Sequence, residues 1–296
     1  MSASKITIIV PVYGDWPSLQ DCLELLKKHV DKKHTILIVN DCGPEADLLE
    51  KKIRGATRGI KKFKYFRNDA NLGFIKTCNR AVNELDKTDN DILLLNSDTK
   101  VTAGFLEEMA GVLYSAGNIG VVSPRSNNAT ICTIPLSAIN QKGISADKSY
   151  ELFKKYSAKF PRRHKVPTGH GFCMLIRRTL IKKYGLFDSV FGRGYGEEVD
   201  FCQRIGRQGW ASVLANHTYV FHLEAKSFSL ETKAQLLKDH NKIIRNRYPG
   251  YKQSVTNYIN RALAEEKKIM GKDAIESSGS KLTNLKQRLR QLLKSN

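Results

Sequence analysis

The residues best suited to chemistry in this chain are oxygen donors standing at the ends of apolar runs. Asp91–Asp98 reads DILLLNSD, and the run Ile92–Leu95 stops abruptly at Asn96-Ser97-Asp98. An unbroken apolar run of this length suits a strand buried on both faces. Ending it in an amide and a carboxylate sets hard oxygens at the carboxyl edge of a sheet, where open α/β sheets take their ligands. Oxygen-bearing side chains two positions apart suit Mg²⁺ or Mn²⁺ shared with a phosphate. As a plain turn or helix cap the same residues need no ligand. A second cluster, Glu197, Glu198 and Asp200, follows Gly192, Gly194 and Gly196. Acids in a helix's first turn meet its positive end, while glycines allow close approach to a ligand. The cluster therefore suits either a capped helix or a general base. His222 ends the apolar run Tyr219–Phe221.

The elements that position these groups alternate. Ile6–Val10 is a β-branched apolar run ending at Pro11-Val12-Tyr13-Gly14, and Asp15–His29 carries Leu19, Cys22, Leu23, Leu25 and Leu26 at helical spacing. Thr35–Val39 is a second strand, ending at Asn40-Asp41; Phe63–Arg67 is a third, followed by Asn68 to Phe74. A helix over Ile75–Leu85 leads into the strand at Asp91, then come a helix at Phe105–Leu113 and a strand at Gly120–Val122. Such alternation predicts an α/β fold, a mostly parallel central sheet flanked by helices. Three polar clusters on one sheet edge (Asn40-Asp41, Asn68 to Asn71, and Asn96-Ser97-Asp98) form a crevice suited to a nucleotide.

Beyond Ser123 the texture changes. Ser123–Thr130 reads as a polar loop and Ser137–Arg163 as a weakly periodic segment, either mobile or a short helical insertion. A glycine-rich turn then enters a strand at Phe172–Ile176, Phe201–Gly209 is helical, and Trp210–Leu214 is a strand. Leu230–Tyr248 and Tyr251–Met270 are helices divided by Pro249-Gly250. This gives four stretches: 1–125 and 126–228 as two halves of one domain, 229–275 as a helical C-terminal extension, and 276–296 as a tail.

The 296 residues carry a net charge of +20, which favours anionic partners. The basic residues are dispersed rather than interleaved with aromatics, so no nucleic acid is expected. No GxGxxG follows the first strand and no GxxxxGK[ST] occurs, which disfavours a dinucleotide dehydrogenase and a P-loop NTPase. The six cysteines include no CxxC pair, so they read as reduced thiols rather than a zinc site. With no signal peptide and no apolar stretch long enough to span a bilayer, a cytoplasmic protein is expected.

Taken together, Ile9-Val10-Pro11-Val12-Tyr13, Val39-Asn40-Asp41, Asn68 to Phe74, Asn96-Ser97-Asp98, Gly196-Glu197-Glu198-Val199-Asp200-Phe201-Cys202, and His222 before Ser227-Phe228 resemble the family 2 inverting glycosyltransferases of GT-A fold. The resemblance covers about residues 5 to 228. SPRSNNAT and TGHGFCMLIRR resemble the bacterial rhamnosyltransferase-like, polysaccharide-assembly branch.

The resemblance implies a nucleoside-diphosphate sugar as donor, a glycan hydroxyl as acceptor, and Mn²⁺ or Mg²⁺ as cofactor. It implies that Pro11, Val12 and Tyr13 line the base, that Asp41 accepts a ring N–H of the pyrimidine, and that Asn71 and Gly73 border nucleotide and sugar. Asn79, on the helix after them, is a further candidate. Asn96, Ser97 and Asp98 match the family's DxD-type motif with an amide in place of its first acid, which puts the metal mainly on Asp98, with His222 as a further ligand. Glu198 ranks first as catalytic base and Asp200 second. Glu197, His170 and Trp210 fall on the acceptor side, although Trp210 also suits a core aromatic. Arg204 and Arg207 read as solvent-facing.

The rivals are a nucleotidyltransferase, which would carry a glycine-rich basic loop after its first strand, and a degenerate module that binds sugar nucleotide or nucleic acid. In the tail, Leu282, Leu285, Leu289, Leu292 and Leu293 share a helical face opposite lysines and arginines. Such a helix suits an anionic membrane, at about 1 kcal/mol per basic residue. That would set the protein at the inner face of the membrane beside a lipid-linked acceptor. The same helix suits packing between copies in a homo-oligomer.

Overall fold

A computed structural model describes residues 5–138, 144–223 and 230–276. The chain begins β1 (Ile6–Val12), α1 (Trp16–His29), β2 (Thr35–Asn40), α2 (Ala46–Thr57), β3 (Phe63–Arg67), α3 (Phe74–Arg80) and β4 (Asp91–Leu95). It continues with β5 (Thr99–Val101), α4 (Phe105–Leu113), β6 (Ile119–Arg125), α5 (Ala146–Tyr156), β7 (Arg163–Val166), β8 (Cys173–Ile176) and α6 (Arg178–Tyr184). After α7 (Glu197–Gly206) and β9 (Ala211–His222) come α8 (Leu230–Arg247), α9 (Tyr251–Met270) and the short α10 (Lys272–Glu276).

The sheet runs β3-β2-β1-β4-β8-β6-β9-β5, with β7 on β9. The first four strands are parallel throughout. Beyond β4 the sheet is mixed: β8 runs antiparallel to both β4 and β6, while β6 and β9 are parallel to each other. This reversal has a consequence for function. The carboxyl ends of β1, β2 and β4 and the amino end of β8 meet at one edge, because Leu95 pairs with Cys173.

Alternation of side chains explains why β1 and β4 read as unbroken apolar runs. Ile6, Ile8 and Val10 join one core with α1, α2 and α4, while Ile9 joins the other with α3, α6 and α7. Leu93 and Leu95 likewise face the first core, and Ile92 and Leu94 the second. Lys62 closes the end of α1 by donating to the carbonyls of Leu26, Lys27 and Val30. The two C-terminal helices clasp the sheet from both sides: α8 buries Ile244 and Tyr248 in the second core, and α9 buries Val255, Tyr258 and Ile259 in the first.

Ser123, Pro124 and Arg125 form the end of a buried strand rather than the expected loop. The weakly periodic segment contains the regular helix α5, capped by Ser145, in keeping with its reading as a helical insertion. The strand predicted at Trp210–Leu214 runs on to His222. The six cysteines are all free thiols, five of them buried, and no described helix is long and apolar enough to cross a membrane. The basic stretch 281–296 lies outside the described residues.

The β1–β2 edge is assembled by close backbone packing at Gly43. A Cβ there would stand 2.0 Å from the Tyr13 carbonyl oxygen, so backbone would have to move. Gly43→Ala should cost about 1–3 kcal/mol in urea unfolding. A loss below about 0.5 kcal/mol would show that the β1 and β2 turns yield freely.

Candidate active site

At the β1–β2 edge, Asp41 organises the turn that follows β3. Its Oδ1 accepts from Asn68 Nδ2 at 2.7 Å, the Leu72 amide at 2.9 Å and Thr77 Oγ1 at 2.7 Å, and Oδ2 accepts from the Gly73 amide at 2.9 Å. Lone-pair counting leaves Oδ2 room for one further donor. Asn71 is exposed, and its Oδ1 accepts from the Gly73 amide. Gly73 has φ +80°, and a Cβ there would lie 3.9 Å from Cα and Cγ of Arg193. Of the residues expected to line the base, Tyr13 is exposed and Pro11 half-buried. Val12 belongs to the core instead, its carbonyl taken by the Asp41 amide at 2.7 Å.

At the end of β4, the Asn96 amide donates to the Phe172 carbonyl and its own carbonyl accepts from Thr99 Oγ1. Asn96 and Ser97 are half-buried in the resulting turn. The turn hands the chain to β5, which pairs Thr99 with His222. Asp98 Oδ1 and His222 Nε2 come to 3.6 Å, too far for a hydrogen bond and close enough to share an ion. A carboxylate oxygen and an imidazole nitrogen suit Mn²⁺, so this donor set fits the expected metal. No group of three or more His, Cys, Asp or Glu side chains assembles among the described residues. The remaining ligands would be phosphate oxygens and water, as is usual for phosphate-bound divalent ions.

At the amino end of α7 the turn Gly192–Gly196 is left-handed at Gly192, Gly194, Tyr195 and Gly196. It delivers two consecutive carboxyl groups into a dry corner. Glu197 Oε2 and Glu198 Oε2 are both buried without a conventional donor among the described residues. Two carboxylates so placed cannot both be ionised, and a shared proton satisfies them. Burial raises both pKa values, and each group affects the other. The amides of Glu198, Gly196 and Val199 hold the charge of Glu198, whereas Glu197 is the more deeply buried partner. Burial therefore favours the protonated form of Glu197.

Between these stations lies the turn before β8. Thr168 Oγ1 reaches the Glu198 carbonyl at 3.4 Å, the Gly169 amide reaches Cys202 Sγ at 3.2 Å, and the His170 amide donates to Ser123 Oγ at 3.0 Å. The Phe172 ring stacks on His222 with centroids 5.1 Å apart, and His170 stands 6.5 Å from it. His170 is thus beside the Asp98–His222 pair, on the side leading to Glu198.

Four residues have other work. Asp200 is fully buried: Oδ1 accepts from Arg247 Nη1 and Tyr248 Oη, each at 2.8 Å, and Oδ2 accepts from Arg204 Nε at 2.7 Å. It is a structural anchor for α7, not a free base. Arg204 caps the carbonyls of Tyr184 and Leu186 rather than facing solvent. Trp210 precedes β9 at the opposite edge of the sheet, its Cβ against Gly120, and does not reach the acceptor side. Asn79 is likewise spent, its amide bonding both backbone groups of Phe187.

Arg193 escaped the sequence reading. It is exposed, and its Cα and Cγ lie beside the Gly73 turn. Asn127 and Asn128 were visible only as part of a polar loop, yet they hold His222.

The sequence model of glycosyl transferase family 2 matches residues 7–185. The chain is 20% identical over 256 residues to an N-acetylglucosaminyl-diphospho-decaprenol L-rhamnosyltransferase of Mycobacterium tuberculosis, spanning 79% of this chain and 81% of that protein. Among solved structures it resembles the mannosyltransferase PcManGT of Pyrobaculum calidifontis, in complex with GDP-Man and Mn²⁺. The TM-score is 0.60 and the identity 15%, over 98% of this chain and 80% of that one. It also resembles S. aureus TarS 1-349 in complex with UDP-GlcNAc, with a TM-score of 0.56 and 16% identity, over 98% of this chain and 81% of that one. These likenesses show a GT-A fold. The family match ends before Glu197, so the carboxyl pair and His222 rest on geometry alone.

Asp200→Asn should cost about 3 kcal/mol in denaturant unfolding, because it strands buried donors. That is the lower end for a buried pair, since Arg204 and Arg247 keep some solvent contact. A loss under about 1 kcal/mol would mean that the anchor is screened by water.

Proposed function

The chain belongs to glycosyl transferase family 2, and we propose that it transfers a sugar with inversion from a UDP- or dTDP-sugar to a hydroxyl of a glycan acceptor. The observation that carries this reading is the pair of stations on one sheet edge: Asp98 with His222 at 3.6 Å, and the proton-sharing Glu197 and Glu198 linked to them through the Thr168–Phe172 turn. The acceptor of the mycobacterial relative is decaprenol-linked by its name. A lipid-linked acceptor in cell-surface polysaccharide assembly is proposed here too, consistent with the +20 charge.

The chemistry follows from the placements. Pro11, Tyr13 and the remaining capacity of Asp41 border the base, with Asn71 and Gly73 beyond. Arg193, exposed beside the Gly73 turn, offers a guanidinium, a group that binds phosphate in a fixed fork. Asp98 and His222 would hold Mn²⁺ or Mg²⁺, which would offset the charge of the departing diphosphate. Glu198 accepts the proton of the acceptor hydroxyl as that oxygen bonds to the anomeric carbon. The bond from that carbon to the phosphate oxygen breaks on the opposite face, and the nucleoside diphosphate leaves. Glu197 remains the hydrogen-bond donor that keeps Glu198 oriented. His170 stands on the acceptor side of the metal pair.

Calorimetric titration with UDP and dTDP, each with Mn²⁺, Mg²⁺ or EDTA, tests the donor site. Metal-dependent binding that Asp98→Ala reduces at least tenfold is expected. No binding of either nucleotide under any condition would overturn the reading, and binding that ignores both metal and Asp98→Ala would remove the metal site.

The carboxyl pair makes a separate prediction for release of nucleoside diphosphate from the donor. Glu198→Gln should lower turnover by about 10²–10⁴-fold, the usual contribution of a general base, with nucleotide affinity intact. Glu197→Gln keeps a donor to Glu198 and should retain most of the rate. Because burial raises the pKa of Glu198, the base is lost as pH falls, and the acid limb should lie above the ordinary glutamate value of about 4.3. A limb at or below that value, or equal losses in the two variants, would assign the base elsewhere.

A further inference from the structure

We propose that Asn127 is a positioning residue for His222, which it orients as a ligand while the neighbouring Asn128 carbonyl selects the ring tautomer. The inference rests on the reading of Asp98 and His222 as metal ligands. It concerns the segment Ser126–Thr130, which the proposed reaction leaves without a role.

His222 is the last residue of β9, with Thr99 of β5 as its register partner. Asn127 serves its backbone as a further strand would. Its Oδ1 accepts the His222 amide N–H at 2.9 Å, and its Nδ2 donates to the His222 carbonyl at 2.9 Å. One planar amide thus satisfies both backbone groups of one residue. Aspartate would lose the donor, and alanine would lose both bonds.

The next residue acts on the ring. His222 Nδ1 lies 2.7 Å from the Asn128 carbonyl oxygen. A carbonyl only accepts, so Nδ1 carries the hydrogen and the neutral ring has its lone pair on Nε2. Nε2 is the atom 3.6 Å from Asp98 Oδ1. Phe172 packs on the ring at 5.1 Å with planes inclined by 29°. Backbone, tautomer and ring plane are therefore each set by a different neighbour.

The segment that carries these contacts is itself held. The Ser126 amide donates to the Cys132 carbonyl at 3.0 Å, the Ile134 amide to the Ser126 carbonyl at 3.0 Å, and the Ala129 amide to Thr133 Oγ1 at 3.0 Å. Arg125, fully buried, ties Asn216 Oδ1 at 2.9 Å to the Thr133 carbonyl at 3.3 Å. Glu266 of α9 accepts the Leu136 amide at 2.7 Å, with Arg125 Nη1 3.7 Å away. A loop anchored at both ends can hold a ligand to the tolerance a metal requires. Partners of this kind typically change metal affinity 10- to 100-fold.

The test uses Mn²⁺, counted by electron paramagnetic resonance in the presence of UDP, together with long-range ¹H–¹⁵N spectra of the histidine rings in the metal-free protein. The expected results are an Nδ1–H tautomer for His222 in the wild type and a 10- to 100-fold loss of Mn²⁺ affinity in Asn127→Ala. The UDP affinity measured in EDTA should be unchanged, and Asn127→Gln, which keeps both amide groups on a longer stem, should fall between. An Nε2–H tautomer in the wild type, or Mn²⁺ affinity within twofold of wild type in Asn127→Ala, would overturn the inference. If the wild type binds no Mn²⁺ with UDP, the donor reading fails separately. The spectra then decide alone: a mixed tautomer in Asn127→Ala supports the positioning role, and an unchanged one overturns it.

Discussion

Two carboxyl groups on consecutive residues, buried at the start of one helix, are the constraint around which the second half of the chain is arranged. Left to themselves Glu197 and Glu198 would repel and swing apart. The turn before them and Asp200, which fixes the helix that follows, hold the segment that carries them. Asp200 is satisfied by Arg204 within α7 and by Arg247 and Tyr248 at the end of α8. The turn is pinned from the same helix, where His240 Nδ1 bonds the Tyr195 carbonyl at 2.7 Å. Holding Tyr195 at φ +71° costs of order 1 kcal/mol or more, and these contacts offset it. What results is two neighbouring carboxyl groups held where burial favours protonation.

The sheet provides a second economy. A wholly parallel sheet would place only strand ends of one kind at the ligand edge. Inserting β8 antiparallel beside β4 brings the start of a strand there as well, and with it the Thr168–Phe172 turn. That turn touches Glu198 through Thr168 and His222 through Phe172. The segments that carry Glu198 and His222 are thereby joined through one turn rather than through the whole fold.

Much of this was legible where burial is uniform. β1, β2 and β4 lie inside on both faces, so their apolar runs announced them, and the polar residues that ended them marked the site edge. Where buried residues are polar the signal failed. Ser123 and Arg125 read as loop, yet they occupy a central strand because Asn216, Thr133 and Glu266 stand ready to meet the guanidinium. No local pattern discloses partners that distant. Strand direction was equally hidden, which is why Trp210 looked available to a sugar although β9 begins at the far edge. Spacing alone could not separate Glu198 from Asp200 either. On one helix turn, the acid that faces the crevice and the acid that anchors α8 differ only in what lies opposite.

The C-terminal helices therefore belong to the working part of the molecule. A sheet with its flanking helices is complete by His222, and α8 and α9 could have been a separate appendage. Instead α8 reaches Asp200 through Arg247 and the turn before Glu197 through His240, and α9 reaches the 125–137 segment through Glu266, whose pKa burial raises to about 7. The two helices back opposite faces of the sheet, α8 behind the turn before Glu197 and α9 behind the segment that holds His222.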